Sequence, residues 1–521
     1  MPKEKIYVSR KILADVGRGI YRTPANAIKE LVSNAFDACA TWVKITTNTP
    51  YFDVFTCEDN GEGISIEELR RIFKRIGSST KRVGDNKYKK CKGSERPIIG
   101  KIGIGLLAVS QICDRFTIIS KKKNQKEALK ATVDLLQFEK EKAYLGDDEN
   151  KITLGEYELN TIPVPQEEIS ISYTKIIMES LKEGFHQKLK EEFKKRKIKI
   201  KPKQISNSVK EFAKFIEQLS QMKSFKILAE YDYMIWELGI FCPVKYLELE
   251  GQIFPSKDYI GEDIDRLKKY NFKVFVDGLE ILKSILFKKT DEIGRADKDF
   301  KIYKLPPYEK EVAGEKLKFH GYIYSQRKKI QPTELQGILI RIKDVAIGNY
   351  DKTILKYPRE EGPIFSMVSG EIFVEEGLEN ALNIDRNSFN ETHPHYIELQ
   401  NEVHKFFKET VVQDIRKRSK ERRKIEKQEQ ITQELNEISQ KIKNNWNIDI
   451  SFKIAEVDNP VPFHFDKSNG KFIFYTKTKG WSRSEKERLL QMKSIIALYL
   501  LKSLQNVDIN EITSVLILSK K

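Results

Sequence analysis

Three short segments near the start restrict this chain more than any other feature: AIKELVSNAFDA (27–38), CEDNGEGIS (57–65) and PIIGKIGIGLLAVSQIC (97–113). In the first, Glu30, Asn34 and Asp37 recur at i, i+4 and i+7, so one helix face carries all three, while Leu31, Val32, Ala35 and Phe36 form a packed side. An amphipathic helix whose polar face meets water has the same pattern. In the second, Asp59 stands at the end of the strand-like run YFDVFTC beside Gly61 and Gly63. A carboxylate there can accept a hydrogen bond from an exocyclic amine while glycine lets the backbone approach a flat ring, although DNGEG is also a good turn. The third places Gly100, Gly103 and Gly105 just before a helix expected from about Leu106. Glycines at a helix N-terminus expose backbone N–H groups that bind phosphate, but a loop that only needs glycine conformations reads the same way.

At 521 residues, and about 150 residues per domain, three or four domains are expected. Helical and strand patterns alternate from Ile12 to about Leu181, interrupted by a stretch from Gly77 to Gly100 that reads as a mobile loop. A Lys- and Arg-dominated helix follows, then a mixed region with strand-like FKVFV (272–276) and GILIRI (337–342). The run IRKRSKERRKIEKQEQ (415–430) predicts a highly charged helix. Near the end, residues 461–475 alternate around Asn469-Gly470, a hairpin signature, and Ser484 with Glu487 suggests a capping box before the apolar helix 489–501. That helix fits either a dimer contact or the core of its own small domain.

Lys and Arg number 93 against 76 Asp and Glu, a net charge of 93 − 76 = +17. Such a surplus suits a polyanionic partner, and a Lys-rich composition explains it equally well. No window approaches the roughly 20 apolar residues of a membrane span. Five scattered cysteines (Cys39, Cys57, Cys91, Cys113, Cys242) without a C-x-x-C pair predict reduced thiols and a cytoplasmic protein that has no membrane partner. The grouping of His393, His395 and His404 around Pro394 is expected to be a surface loop rather than a metal site.

Taken together in this order and spacing, the three segments resemble the GHKL (Bergerat-fold) ATPase superfamily, closest to its HtpG-type heat-shock chaperone, MORC and MutL branches. ELVSNAFDA looks like that family's N-box, EDNGEGIS its first glycine box and GKIGIG its second, and IGSSTK (76–81) resembles the start of its lid. Thr174 in SISYTKIIM resembles a threonine near the last strand of such domains, with Tyr173 where a glycine usually stands. The resemblance implies a Bergerat-type α/β sandwich over residues 1–185 with a lid at 77–100 and a transducer-like α/β domain (226–407); with the basic helical linker (186–225), the charged helix (408–445) and the small α+β unit (446–521) read from charge and patterning, an α+β chain is expected. It implies ATP and Mg²⁺ as ligands of a Mg-dependent ATPase. Glu30 would polarise the attacking water, Asn34 would hold the metal, and Asp59 would read adenine. Asp37, Gly61, Gly63, Gly100, Lys101, Gly103, Gly105 and Thr174 would complete the pocket. ENALNIDRNSF (379–389) resembles the chaperone segment that sends an Arg, here Arg386, to the γ-phosphate, and Lys343 in GILIRIKDVAIG is the alternative sensor.

The expected function is an ATP-driven switch or clamp that pairs into a homodimer on binding ATP and acts on nucleic acid through the basic clusters 194–203 and 417–427. The alternative is an HtpG-like remodeller of a protein client. A histidine kinase is disfavoured because all six histidines follow the first domain.

Overall fold

The computed structural model describes residues 24–74, 88–100, 109–135, 156–199, 208–247, 257–284, 300–383, 386–457, 459–479, 481–482 and 484–503. The chain divides into two compact units, 1–412 and 413–521.

The first unit begins with α1 (Pro24–Asp37), β1 (Trp42–Thr46), β2 (Phe55–Asp59), α2 (Ile66–Lys74) and the hairpin strands β3 (Tyr88–Cys91) and β4 (Ser94–Pro97). Strands β5 (Cys113–Lys121), β6 (Glu127–Asp134), β7 (Glu156–Pro163) and β8 (Tyr173–Leu181) follow. Then come α3 (Glu183–Lys194), α4 (Ser208–Ser220), α5 (Glu230–Phe241), β9 (Tyr246–Leu247), α6 (Lys257–Tyr270), β10 (Lys273–Val276), β11 (Leu279–Ile281) and β12 (Lys283–Ser284). The largest sheet has the order β11-β10-β1-β2-β8-β5-β6-β7. Alternation decides which side each strand buries: in β2, Phe55, Cys57 and Asp59 face inward, so the strand that ends the apolar row also ends on the carboxylate. Helix α1 lays Ile28, Leu31, Val32, Ala35 and Phe36 against this core and packs on β2 and α5.

Strand β10 joins the sheet parallel to β1, with Trp42 opposite Lys273 and Ile45 opposite Val276. The Asp277 carboxylate beyond it accepts from Thr47 N (2.8 Å), Thr47 Oγ1 (2.7 Å) and Tyr231 Oη (2.8 Å), which fixes this junction. A second sheet, β13-β14-β17-β15-β16, comprises β13 (Lys301–Val312), β14 (Glu315–Ser325), β15 (Gly337–Ile342), β16 (Val345–Asp351) and β17 (Val368–Glu376). Strand β15 is buried at every position because elements cover both of its faces. Helix α7 (Pro394–Phe406) and a π-helical turn, Phe407–Val412, close the unit.

Several expectations are corrected. The end of the expected mobile loop is the β3–β4 hairpin, with Tyr88 opposite Pro97 and Cys91 opposite Ser94; residues 75–87 lie outside the described residues. The cysteines are not all reduced: Cys39 and Cys91 form a disulfide across 52 residues, while Cys57, Cys113 and Cys242 are buried thiols. Spacing along the chain gave no sign of this pair, because the hairpin folds back onto the end of α1. Two of the three histidines are not on a surface loop either, and His393 caps the helix that carries them. His395 is buried on α7, with its Nδ1 accepting from Leu378 N and its Nε2 against Val312 O, and His404 Nε2 meets Ile354 O.

The second unit has α8 (Gln413–Trp446), β18 (Ser451–Ala455), β19 (Phe463–Asp466), β20 (Lys471–Tyr475) and α9 (Glu485–Ser503). Strands β19 and β20 form the expected hairpin, and β18 pairs parallel to β20. Leu435, Ile438 and Ile442 of α8 meet Phe472, Phe474, Met492, Ile496 and Leu500, so α9 is a core helix of this unit. The cap before it differs from expectation: Ser482 Oγ, not Ser484, bonds Glu487 and also accepts from Ser484 N. Among the described residues no helix is long and apolar enough to cross a membrane.

Candidate functional site

Helix α1 presents Glu30 and Asp37, both buried, with the half-buried Asn34 between them. The Asp37 carboxylate accepts from Ile99 N through Oδ1 and from Gly100 N through Oδ2, each at 2.8 Å. Asp37 therefore fixes the start of the third glycine segment to the helix that carries Glu30. Lys101, Gly103 and Gly105 lie outside the described residues.

A second group gathers at the end of β2. Burial pushes the Asp59 carboxyl up to about 6, opposed by the Gly61 N–H that donates to its Oδ1 at 2.8 Å. Register places Thr174 of β8 directly opposite Asp59. Ser120, which sequence reading missed, links the two segments: its Oγ lies 2.9 Å from Thr174 Oγ1 and accepts from Ile64 N at 2.9 Å. Gly63 turns with φ +71°, and a Cβ there would stand 2.2 Å from Lys121 O, so only glycine fits against this wall. The Lys121 side chain holds the wall from behind, donating to Ile171 O at 2.6 Å and Ile169 O at 3.1 Å.

The third group comes from the second sheet's side of the unit. Leu382 and Phe389 form a β-bridge, and Arg386 N donates to Asn383 O at 3.0 Å. Arg386 itself has φ +52°. Arg386 Nη1 lies 3.2 Å from Glu30 Oε2, and its Nη2 donates to Ile99 O at 2.6 Å. The neighbouring Asn387 accepts from Lys29 Nζ at 2.9 Å, making a two-by-two clasp of Lys29-Glu30 with Arg386-Asn387. Burial lowers Lys29 to about 8; its ammonium sits 4.4 Å from the Phe241 ring centroid. Lys343, in the two-residue turn between β15 and β16, pairs with Glu379 at 3.0 Å and donates to Ile98 O at 3.4 Å. Both candidate sensors thus reach the same stretch of backbone. Lys29 and Asn387 carried no signal of their own in the sequence; adjacency to Glu30 and Arg386 was the only hint.

The residues fit an adenine nucleotide. Asp59 is buried at a strand end with the Gly61 N–H donating to it, and Arg386 meets both Glu30 and the backbone of Ile99. The mixed sheet with α1 packed on it is consistent with the α+β fold of Bergerat-type domains. The family model for "Histidine kinase-, DNA gyrase B-, and HSP90-like ATPase" matches residues 21–162, and this region belongs to the GHKL ATPase superfamily.

The chain is 31% identical over 175 residues to a putative type II restriction enzyme, HgiDII, of Herpetosiphon aurantiacus, covering 33% of this chain and 25% of the relative. It is 31% identical over 112 residues to the DNA mismatch repair protein MutL of Pseudoalteromonas translucida, covering 22% and 17%. It is 29% identical over 79 residues to the DNA mismatch repair protein Mlh1 of Dictyostelium discoideum, covering 15% and 9%. The chain therefore spans a quarter or less of the length of these relatives.

Proposed function

We propose that this protein is a Mg²⁺-dependent ATPase whose nucleotide state switches its action on nucleic acid. The observation that carries the ATPase reading is the contact of Arg386, from a loop beyond the second sheet, with Glu30 on α1. In this arrangement Glu30 is the general base, within reach of a water at the γ-phosphate, and Arg386 is the cation that stabilises charge on that phosphate. Without nucleotide the two neutralise each other. An arriving γ-phosphate competes for the guanidinium, and the freed Glu30 carboxylate then accepts the proton of the attacking water. Asn34, one turn along α1 from Glu30, would hold Mg²⁺ by its amide oxygen; the ion supplies charge neutralisation between the phosphates. Asp59 orients adenine by accepting its amine, and Asp37 keeps Ile99 and Gly100 in place beneath the phosphates.

Two features support nucleic acid as the partner: the relatives named for DNA mismatch repair and restriction, and the exposed row Arg416, Lys417, Lys420, Arg423, Lys424 and Lys427 on α8. The cluster 194–203 supports it less. Arg196 is committed to Asp232 at 2.6 Å and stacks on Phe193, and residues 200–203 lie outside the described residues. Steady-state ATP turnover of the wild type and of Glu30→Ala, each with and without duplex DNA, tests both parts. Turnover that survives Glu30→Ala removes the site. Wild-type turnover indifferent to DNA points instead to a chaperone-like remodeller of protein clients.

A further inference from the structure

The Cys39–Cys91 bond sits at the edge of the candidate site and plays no part in the reaction proposed above. Cys39 lies two residues beyond the end of α1, the helix of Glu30, Asn34 and Asp37. Cys91 ends strand β3, six residues before the stretch 97–100 whose Ile99 and Gly100 N–H groups bind Asp37. The same hairpin reaches α1 by other routes. Lys89 Nζ donates to Asp37 O at 3.2 Å and meets Glu62 Oε2 at 2.7 Å, and Arg96 Nη1 donates to Ala40 O at 2.7 Å. These polar contacts position the hairpin, and the covalent bond closes a ring that contains β1, β2, Asp59, Gly61 and Gly63.

The chemistry is selective. Cys39 and Cys91 are partly exposed, whereas the three other thiols are buried. Cys91 stands in the run YKKCKG, where Lys90 and Lys92 flank it with positive charge. Positive charge favours a thiolate and draws an anionic small disulfide, the two needs of thiol–disulfide exchange.

We propose that Cys39 and Cys91 are a reversible thiol–disulfide site, with small disulfides and thiols of the glutathione class as reactants, that tethers the hairpin before the phosphate loop to the end of the Glu30 helix. In the oxidising direction the Cys91 thiolate attacks one sulfur of a small disulfide, forming a mixed disulfide and expelling one small thiolate. The Cys39 thiolate then attacks the Cys91 sulfur and expels the second. The pair loses two protons and two electrons, and the small disulfide becomes two thiols. Excess small thiol reverses both steps.

In its nucleotide effect this inference rests on the ATP-site reading. The tethered form holds Ile99 and Gly100 ready for phosphate; the reduced form samples that arrangement only part of the time. If reduction leaves it populated about a fifth of the time, the apparent Kd rises about fivefold.

The test uses the full chain equilibrated at several ratios of reduced to oxidised glutathione, with alkylation and peptide mass mapping, hydrogen exchange over 88–100, and titration with a fluorescent ATP analogue. Oxidation is expected to protect Cys39 and Cys91 from alkylation as one cross-linked pair, slow exchange in the hairpin and tighten analogue binding about fivefold. Cys91→Ser should bind with the affinity of the reduced wild type at every ratio. Thiols that stay alkylatable throughout, or equal exchange in both forms, overturn the proposal. An affinity that still responds in Cys91→Ser overturns it too. A redox change in exchange with no analogue bound in either form keeps the thiol–disulfide site and removes the ATP-site reading instead.

Discussion

At Glu30 two neighbouring side chains decide the chemistry. A carboxylate that serves as base must be close to a cation that stabilises the transition state, yet not held by it when phosphate is present. Arg386 Nη1 lies 3.2 Å from Glu30 Oε2, and the mechanism we propose has the pair exchange partners when phosphate arrives. Single-turnover measurements should show Glu30→Ala slowing hydrolysis by about 10² to 10⁴ while ATP affinity is kept or raised, because Arg386 then has no carboxylate to give up. Arg386→Ala should slow it about 10³-fold, and Arg386→Lys should restore little, because a lysine cannot contact Ile99 O and a phosphate with one planar fork. Asp59 gives a pH test. Burial raises its carboxyl to about 6, so below that pH it is increasingly protonated and becomes a weaker acceptor for the adenine amine we assign to it. Adenosine affinity measured calorimetrically should fall on acidification through about pH 6, and Asp59→Asn should be weak with no such step.

At the scale of elements, the turn between β15 and β16 shows how the second sheet aims a side chain at the backbone that follows the β3–β4 hairpin. Lys343 and Asp344 both have positive φ, at 50° and 68°, a conformation that costs non-glycine residues energy and persists where the surroundings fix it. Here Arg266 of α6 fixes it, donating to Asp344 from Nε at 2.8 Å and from Nη2 at 2.6 Å, with Tyr270 Oη adding a bond at 3.0 Å. Behind this turn lies a fully buried network. Arg341 Nε donates to Glu371 Oε1 at 2.9 Å, and Tyr322 and Tyr246 donate to Oε2 at 3.0 and 3.1 Å. Glu371→Ala should cost about 3 to 5 kcal/mol in denaturant unfolding because it leaves Arg341 buried and uncompensated, and Arg341→Met with Glu371→Leu together should recover much of that loss. His320 reports on the same junction. Burial lowers its pKa, but the outweighing hydrogen bonds to Asp263 (2.8 Å) and Glu375 (3.2 Å) raise it to about 9. A raised histidine contributes its full stabilisation below about pH 6.5 and loses it as pH rises through about 9. Stability of the first unit should therefore fall by on the order of 3 kcal/mol between these values, a decline absent in His320→Phe.

At the scale of the whole molecule, the net charge of +17 can be assigned to parts. Arg96, Arg196, Arg266, Lys283 and Arg341 are engaged inside the fold, whereas the exposed row on α8, where Lys424 pairs with Glu456 at 2.7 Å, is the surface that we propose for a polyanion. Each phosphate contact adds about 0.9 to the slope of log affinity against log salt. Replacing Lys417, Lys420 and Arg423 by alanine should lower that slope for duplex DNA by about 2 to 3, and an unchanged slope would move the interface elsewhere. Pairing of two copies on adding a non-hydrolysable ATP analogue, read by light scattering, tests the clamp.

Much of the geometry of the candidate site was legible in the sequence because its parts are local. Helical spacing put Glu30, Asn34 and Asp37 on one face, and Gly63 declared its turn without any partner being known. The β19–β20 hairpin and the strand 337–342 were legible for the same reason. What depended on distant segments was not: β10 completing the first sheet beside β1, Cys91 meeting Cys39, Ser120 bridging Ile64 and Thr174, and Lys29 finding Asn387. Arg386 was singled out by resemblance, but only the folded chain decided that it reaches Glu30. The reason is physical: periodicity records which side of an element is apolar, whereas which two apolar sides meet, and so which polar tips share a pocket, is settled when the whole core packs.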